Sequence, residues 1–161
     1  MNLIVAVDKN WGIGCDNELL ADIPEDMAFF REKTLGKVVV MGQKTFESLP
    51  NGALPKRNNF VLTFDKEFTA ENVTICYNLD EFFEFAKEYE NDDIFVIGGE
   101  QIYRLMLPYC ERCYITKMYA EFPADRFIPN LDEHPDWIVG STQKMSTQSG
   151  IDIEFVEYVK V

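Results

Sequence analysis

Ile94-Phe95-Val96-Ile97-Gly98-Gly99-Glu100-Gln101-Ile102-Tyr103 carries an apolar run into a glycine pair and then into a helix. A short run of β-branched and aromatic residues bounded by glycine reads as a strand buried on both faces. The same device occurs earlier, where Val38-Val39-Val40-Met41-Gly42 feeds Gln43-Lys44-Thr45. Two strand–glycine–helix units point to an α/β sheet with mostly parallel strands. Such sheets gather ligands at the carboxyl ends of their strands. Backbone N–H groups and the helix dipole suit a phosphate there. One such turn is an ordinary connection; two together suggest a diphosphate held between two helices. Neither G-x-x-x-x-G-K-[ST] nor G-x-G-x-x-G occurs in the chain.

Further strands are expected at Leu3–Val7, Asn59–Thr63, Val73–Cys76 and Cys113–Met118. Trp137–Val139 and Ile151–Phe155 read as a closing antiparallel pair. Helices are expected from Pro24 to Leu35, stopped by Gly36, and from Gln43 to Leu49, closed by Pro50. Another follows Asn78, with Glu81 three residues later and an apolar face of Leu79, Phe82, Phe83 and Ala86. The last runs from Glu100 to Leu107 and halts at Pro108. Asp8–Gly14 reads as a turn into a glycine-containing loop, and 121–135 as a proline-rich loop. The expectation is one α/β domain over residues 1–161. Its central sheet is mixed and mostly parallel, with about eight strands, an antiparallel C-terminal edge and about four flanking helices.

Asp22-Ile23-Pro24-Glu25-Asp26 opens the first helix. Asp22 and Glu25 stand at capping-box spacing, and Pro24 suits the first turn. Capping does not require Asp26. At about 100° per residue, Phe30 lies about 40° to one side of it and Phe29 about 60° to the other. A carboxylate within an apolar arc needs a polar partner. The alternative is an acid placed at a helix start by the dipole alone.

The chain has 161 residues and a formal charge of −13, with no basic block to offset it. Nucleic acid and anionic membranes are thereby disfavoured as partners, and an anionic ligand must be held by local cations or helix N-termini. The N-terminal stretch lacks the basic lead of a signal peptide, and no apolar run approaches transmembrane length. Cys15, Cys76, Cys110 and Cys113 read as reduced cytoplasmic thiols. Cys110 and Cys113 have redox-motif spacing without a second pair, and His134 is the sole histidine, so no metal site is expected. No serine or cysteine has an evident base, and Asp26 has no partner acid on its face. Arg57, just before a strand, is either a solvated charge or a bidentate clamp for a ligand carboxylate.

Several motifs together resemble the dihydrofolate reductases of bacteria. They are Ile4-Val5-Ala6, Gly12-Ile13-Gly14, Ile23-Pro24-Glu25-Asp26, Val40-Met41-Gly42-Gln43-Lys44-Thr45-Phe46-Glu47-Ser48-Leu49, Leu54-Pro55-Lys56-Arg57, Val96-Ile97-Gly98-Gly99 and Tyr114-Ile115-Thr116. The likeness spans essentially the whole chain. It implies NADPH-dependent reduction of 7,8-dihydrofolate to 5,6,7,8-tetrahydrofolate by a cytoplasmic monomer that antifolates target. Asp26 would anchor the pterin edge and support protonation, with Thr116 behind it. Ile4, Val5, Met27, Phe30, Leu49 and Ile97 would line the folate pocket, and Arg57 would hold the glutamate tail. Ala6 would frame the nicotinamide together with a lid containing Ile13, Gly14, Asn17 and Leu19. Gly42, Gln43, Lys44 and Thr45 would carry more of the cofactor, with Leu62, Thr63 and Phe64. Gly98, Gly99, Glu100, Gln101, Ile102 and Tyr103 would complete its site.

The chain departs from the family pattern in places. Ala21 stands where many members have tryptophan, and Gln43 and Gln101 where a basic residue is common. Asp65 follows the strand where members often read a 2′-phosphate. Two competing readings are a riboflavin-pathway reductase of the same architecture and a non-catalytic nucleotide-binding domain. Asp26 in its Ile-Pro-Glu-Asp setting argues against the first.

Overall fold

The computed structural model describes residues 1–161. In chain order it begins β1 (Asn2–Val7), β2 (Gly12–Cys15), β3 (Glu18–Leu19), α1 (Pro24–Thr34), β4 (Val38–Gly42) and α2 (Gln43–Ser48). Next come β5 (Asn58–Leu62), β6 (Val73–Cys76), α3 (Leu79–Ala86), β7 (Ile94–Gly98), α4 (Glu100–Met106) and β8 (Arg112–Met118). The chain closes with β9 (Arg126–Phe127), β10 (Trp137–Met145) and β11 (Ile153–Lys160). Eight strands form one sheet in the order β10-β11-β8-β1-β7-β4-β5-β6. From β8 to β6 every pairing is parallel, while β11 pairs antiparallel with both β8 and β10. The architecture is therefore the expected mixed α/β sheet with four helices and an antiparallel C-terminal edge.

Alternation within β4 explains why this sheet is covered on both sides. Val38 and Val40 join a large apolar cluster with Phe60, Phe82 and Met106, whereas Val39 and Met41 pack on Val61, Phe46, Leu49 and Ile97. At α3, the Asn78 side chain accepts from the Glu81 N–H, and the Glu81 carboxylate accepts from the Tyr77 N–H. No helix is long and apolar enough to cross a membrane.

Three expectations need correction. Asp22 does not cap α1: the capping position is Ile23, which offers no side-chain bond. Glu25 turns instead to the loop between β10 and β11 and accepts the Gln148 N–H at 2.8 Å. The closing hairpin is also longer than its apolar cores, because polar residues of β10 and β11 extend the ladder. Finally, the stretches read as loops contain a second, three-stranded sheet in the order β3-β2-β9. Asp16 and Asn17 both adopt left-handed backbone between the paired residues Cys15 and Glu18, the conformation that a tight two-residue hairpin needs. Strands this short leave no readable alternation.

Candidate active site

Asp26 lies in the first turn of α1, and its carboxylate Oδ1 accepts a hydrogen bond of 2.7 Å from the Thr116 hydroxyl. Thr116 is fully buried on β8, opposite Ala6 of β1. The polar partner demanded by the apolar arc is thus a hydroxyl, and Asp26 makes no ion pair. Burial pushes the Asp26 carboxyl above its ordinary proton affinity, and the Thr116 hydrogen bond offsets part of that. The other carboxylate oxygen has no protein partner in hydrogen-bond reach.

Tyr103 links this acid to the glycine turns. Its hydroxyl donates to the Ile4 carbonyl at 2.8 Å and is fully buried. Burial, then the negative charge of Asp26, hold that phenol protonated. A Cβ added to Gly98 would stand 3.3 Å from the Thr45 hydroxyl and 3.6 Å from the Tyr103 hydroxyl, at a φ of +142°. A Cβ on Gly99 would also meet Thr45 at 3.3 Å, and one on Gly42 would stand 3.0 Å from Ile102. Side chains of α2 and α4 therefore close against the glycines at the ends of β4 and β7, and at Gly98 the positive φ itself favours glycine. Next to them, the Thr63 hydroxyl donates to the Gln43 side-chain oxygen at 2.6 Å.

Apolar groups around the acid are left partly open. Met27 is 49% exposed, and Phe30, Leu49, Val5 and Ile97 are half-buried. Arg57 sits with its guanidinium carbon 5.9 Å from the centre of the Phe30 ring. Its Nε is buried without a hydrogen-bond partner.

A carboxylate with one free oxygen, an open apolar surround and a glycine-lined junction of two strand ends are one neighbourhood in this chain. The family model "Dihydrofolate reductase" matches residues 1–160. The chain belongs to the dihydrofolate reductase family. It is 37% identical over 161 residues to the dihydrofolate reductase of Bacillus subtilis, covering 99% of this chain and 94% of that one. It is 36% identical to the enzyme of Staphylococcus haemolyticus, over 96% of this chain and 87% of that one. Among solved structures, it superposes on a dihydrofolate reductase from Enterococcus faecalis complexed with NADP(H) and RAB-propyl. The TM-score is 0.89 at 28% identity, covering 99% of this chain and 95% of that one.

Not every expected residue of the dihydrofolate reductase site is equally available. Gly14 and Ile13 lie on β2, within the small sheet rather than in a free loop. Leu19 on β3 is 72% exposed and Phe64 is 81% exposed, while Ile4, Leu62 and Thr63 are buried. Asn17, Lys44 and Gln101 are exposed, with Ala6 and Thr45 half-buried. The Glu100 carboxylate is already engaged: it accepts the Phe127 N–H at 2.7 Å and lies 3.7 Å from Arg104. Cys110 and Cys113 are buried free thiols, with Cys110 pushed up to about 12 by burial, which argues against redox use.

Sequence reasoning missed Asp8. It is 3% exposed, yet its carboxylate accepts from the N–H groups of Asn10, Gly12 and Phe122. Only its position at the end of an apolar strand hinted at burial.

Proposed function

We propose that this chain reduces 7,8-dihydrofolate to 5,6,7,8-tetrahydrofolate with NADPH, and that Asp26 is its catalytic acid. The carrying observation is the Asp26 carboxylate, held by Thr116 with one oxygen free and no cation beside it. The pterin edge offers an amino group and a ring nitrogen side by side, which a carboxylate can meet together. Raised proton affinity, caused by burial, makes the same group a better proton holder and so suits it to support delivery to the substrate's ring nitrogen. Ile4, Val5, Met27, Phe30, Leu49 and Ile97 would pack on the substrate rings and exclude water. Arg57, half-buried with its Nε lacking a partner, would meet the tail's carboxylate.

The cofactor fits the residues present, because Gly42, Gly98 and Gly99 stand without side chains between the ends of β4 and β7 and the starts of α2 and α4, where helix N-terminal N–H groups suit a pyrophosphate. NADPH supplies the hydride when bound. Gln43, Lys44, Thr45, Leu62, Thr63 and Phe64 would hold its adenosine half, with Glu100 contributing backbone and Gln101, Ile102 and Tyr103 completing that side. The hairpin bearing Ile13, Gly14, Asn17 and Leu19 would cover the nicotinamide beside Ala6. The acting unit would be a monomer in the cytoplasm, and the four free cysteines support the compartment.

Asp26→Asn tests the assignment. Reduction, followed as loss of NADPH absorbance with dihydrofolate present, should fall by about 10²–10⁴-fold at neutral pH while the fold persists. Near-normal turnover would refute the role of Asp26.

A further inference from the structure

β9 is an outer strand of the small sheet, whose order is β3-β2-β9, so one of its sides has no strand to pair with. On the inner side, the Asp125 and Ile128 N–H groups donate to the carbonyls of Gly14 and Trp11 at 3.0 and 3.1 Å. On the outer side, side chains of α4 stand in for the missing strand. The Glu100 carboxylate accepts the Phe127 N–H at 2.7 Å, and the Arg104 guanidinium donates to the Phe127 carbonyl at 3.1 Å. Both backbone polar groups of one strand residue are thus held by two side chains a helical turn apart. Those side chains also pair with each other at 3.7 Å.

Glu100 directly follows Gly98 and Gly99. A carboxylate beside a turn that meets a pyrophosphate repels the ligand unless a cation answers it, as Arg104 does here. The pair does more than cancel charge. β9 pairs with β2 through Gly12 and Gly14, and Gly14 pairs in turn with Leu19 of β3. One path of hydrogen bonds therefore runs from the helix after the glycine pair, across β9, into the hairpin that bears Ile13 and Gly14. We propose that Glu100 and Arg104 are positioning residues that fasten this hairpin over the nicotinamide half of the cofactor, at a fixed place relative to the glycine turn that meets the pyrophosphate. They act through Phe127, and neither side chain touches the nicotinamide. The inference rests on the reading above in which the hairpin covers that ring.

The test uses the full-length wild type, Glu100→Ala, Arg104→Met and Glu100→Gln, the last keeping an oxygen that can accept the Phe127 N–H. Two ligands are titrated by calorimetry: NADPH, and adenosine 2′-phosphate 5′-diphosphate, which ends at the pyrophosphate and lacks the nicotinamide half. In Glu100→Ala and Arg104→Met, the ratio of the NADPH Kd to that of the shorter ligand should rise by about 3- to 30-fold, the effect of a charge-assisted bond discounted for partial exposure. The ratio cancels any change of charge that both ligands feel. Glu100→Gln should keep most of the wild-type ratio. Without ligand, amide exchange at Asp125 and Ile128 should quicken by a similar factor in the two disrupting variants, while amides within β4 keep their rate. A ratio that stays at the wild-type value, or exchange at Asp125 and Ile128 that does not quicken, overturns the clamp. A wild type that binds neither ligand would instead count against the cofactor reading, and the exchange measurement would still decide the clamp.

Discussion

Thr116→Val isolates the hydrogen bond on which the site depends. Valine matches threonine in shape and drops only the hydroxyl. Thr116 is 1% exposed, between Ala6 of β1 and Phe155 of β11, so water has little access to replace that hydroxyl. The lost bond is a 2.7 Å contact to a carboxylate, a class worth about 1.5–3 kcal/mol. For a chain of 161 residues that corresponds to a fall in Tm of about 3–12 °C. The cost carries a pH signature. Burial already raises the Asp26 carboxyl, so its contribution to stability is fullest at low pH and is lost as pH climbs through its folded titration. The Thr116 bond favours the ionised form, so its removal raises that titration further. The penalty should be full at about pH 8 and should shrink at about pH 4, toward the protonated form that the hydroxyl bond does not favour. Thermal melts at the two pH values provide the measurement, together with a double-mutant cycle using Asp26→Asn. In the Asp26→Asn background, Thr116→Val should cost less than half as much. An equal penalty at both pH values, or in both backgrounds, refutes the reasoning.

Three further outcomes are expected. Arg57→Ala should weaken dihydrofolate binding by about 2–5 kcal/mol and leave a pterin without the glutamate tail nearly unaffected, as titration of both ligands would show. Wild-type kcat/KM should favour NADPH over NADH by only about 10-fold, since exposed Lys44 is opposed by Asp65 and by the neutral Gln43 and Gln101; Lys44→Ala should erode that ratio. Gly98→Ala should weaken NADPH binding, measured by fluorescence titration, because the φ of +142° strains any side chain and a methyl group would press on Thr45 at 3.3 Å.

Much of this was legible in the residues because period and punctuation coincide there. The two apolar runs ending in glycine became β4 and β7, side by side at the centre of the sheet. Asn78 and Glu81 capped α3 as spaced. Asp26 stood out because its helix neighbours are aromatic, and Thr116 duly met it. What stayed hidden depends on long-range encounters. Asp22 had the spacing of a cap, yet Glu25 found a stronger claim in the Gln148 amide, 123 residues away. The strands β2, β3 and β9 exist only because they meet one another. Tyr103 was expected to serve the cofactor, but its proximity to Asp26 arises only once α4 folds under β1.

The buried carboxylate of Asp8 has a consequence for how the small sheet breathes. One side chain gathers amides from residues 10 and 12, before and at the start of β2, and from residue 122, on the approach to β9. Neither segment can peel away without stranding the same charge, so their local opening shares one free energy. Solvent deuterons would then reach the Gly12 and Phe122 amides on a common schedule, although 110 residues of chain separate them.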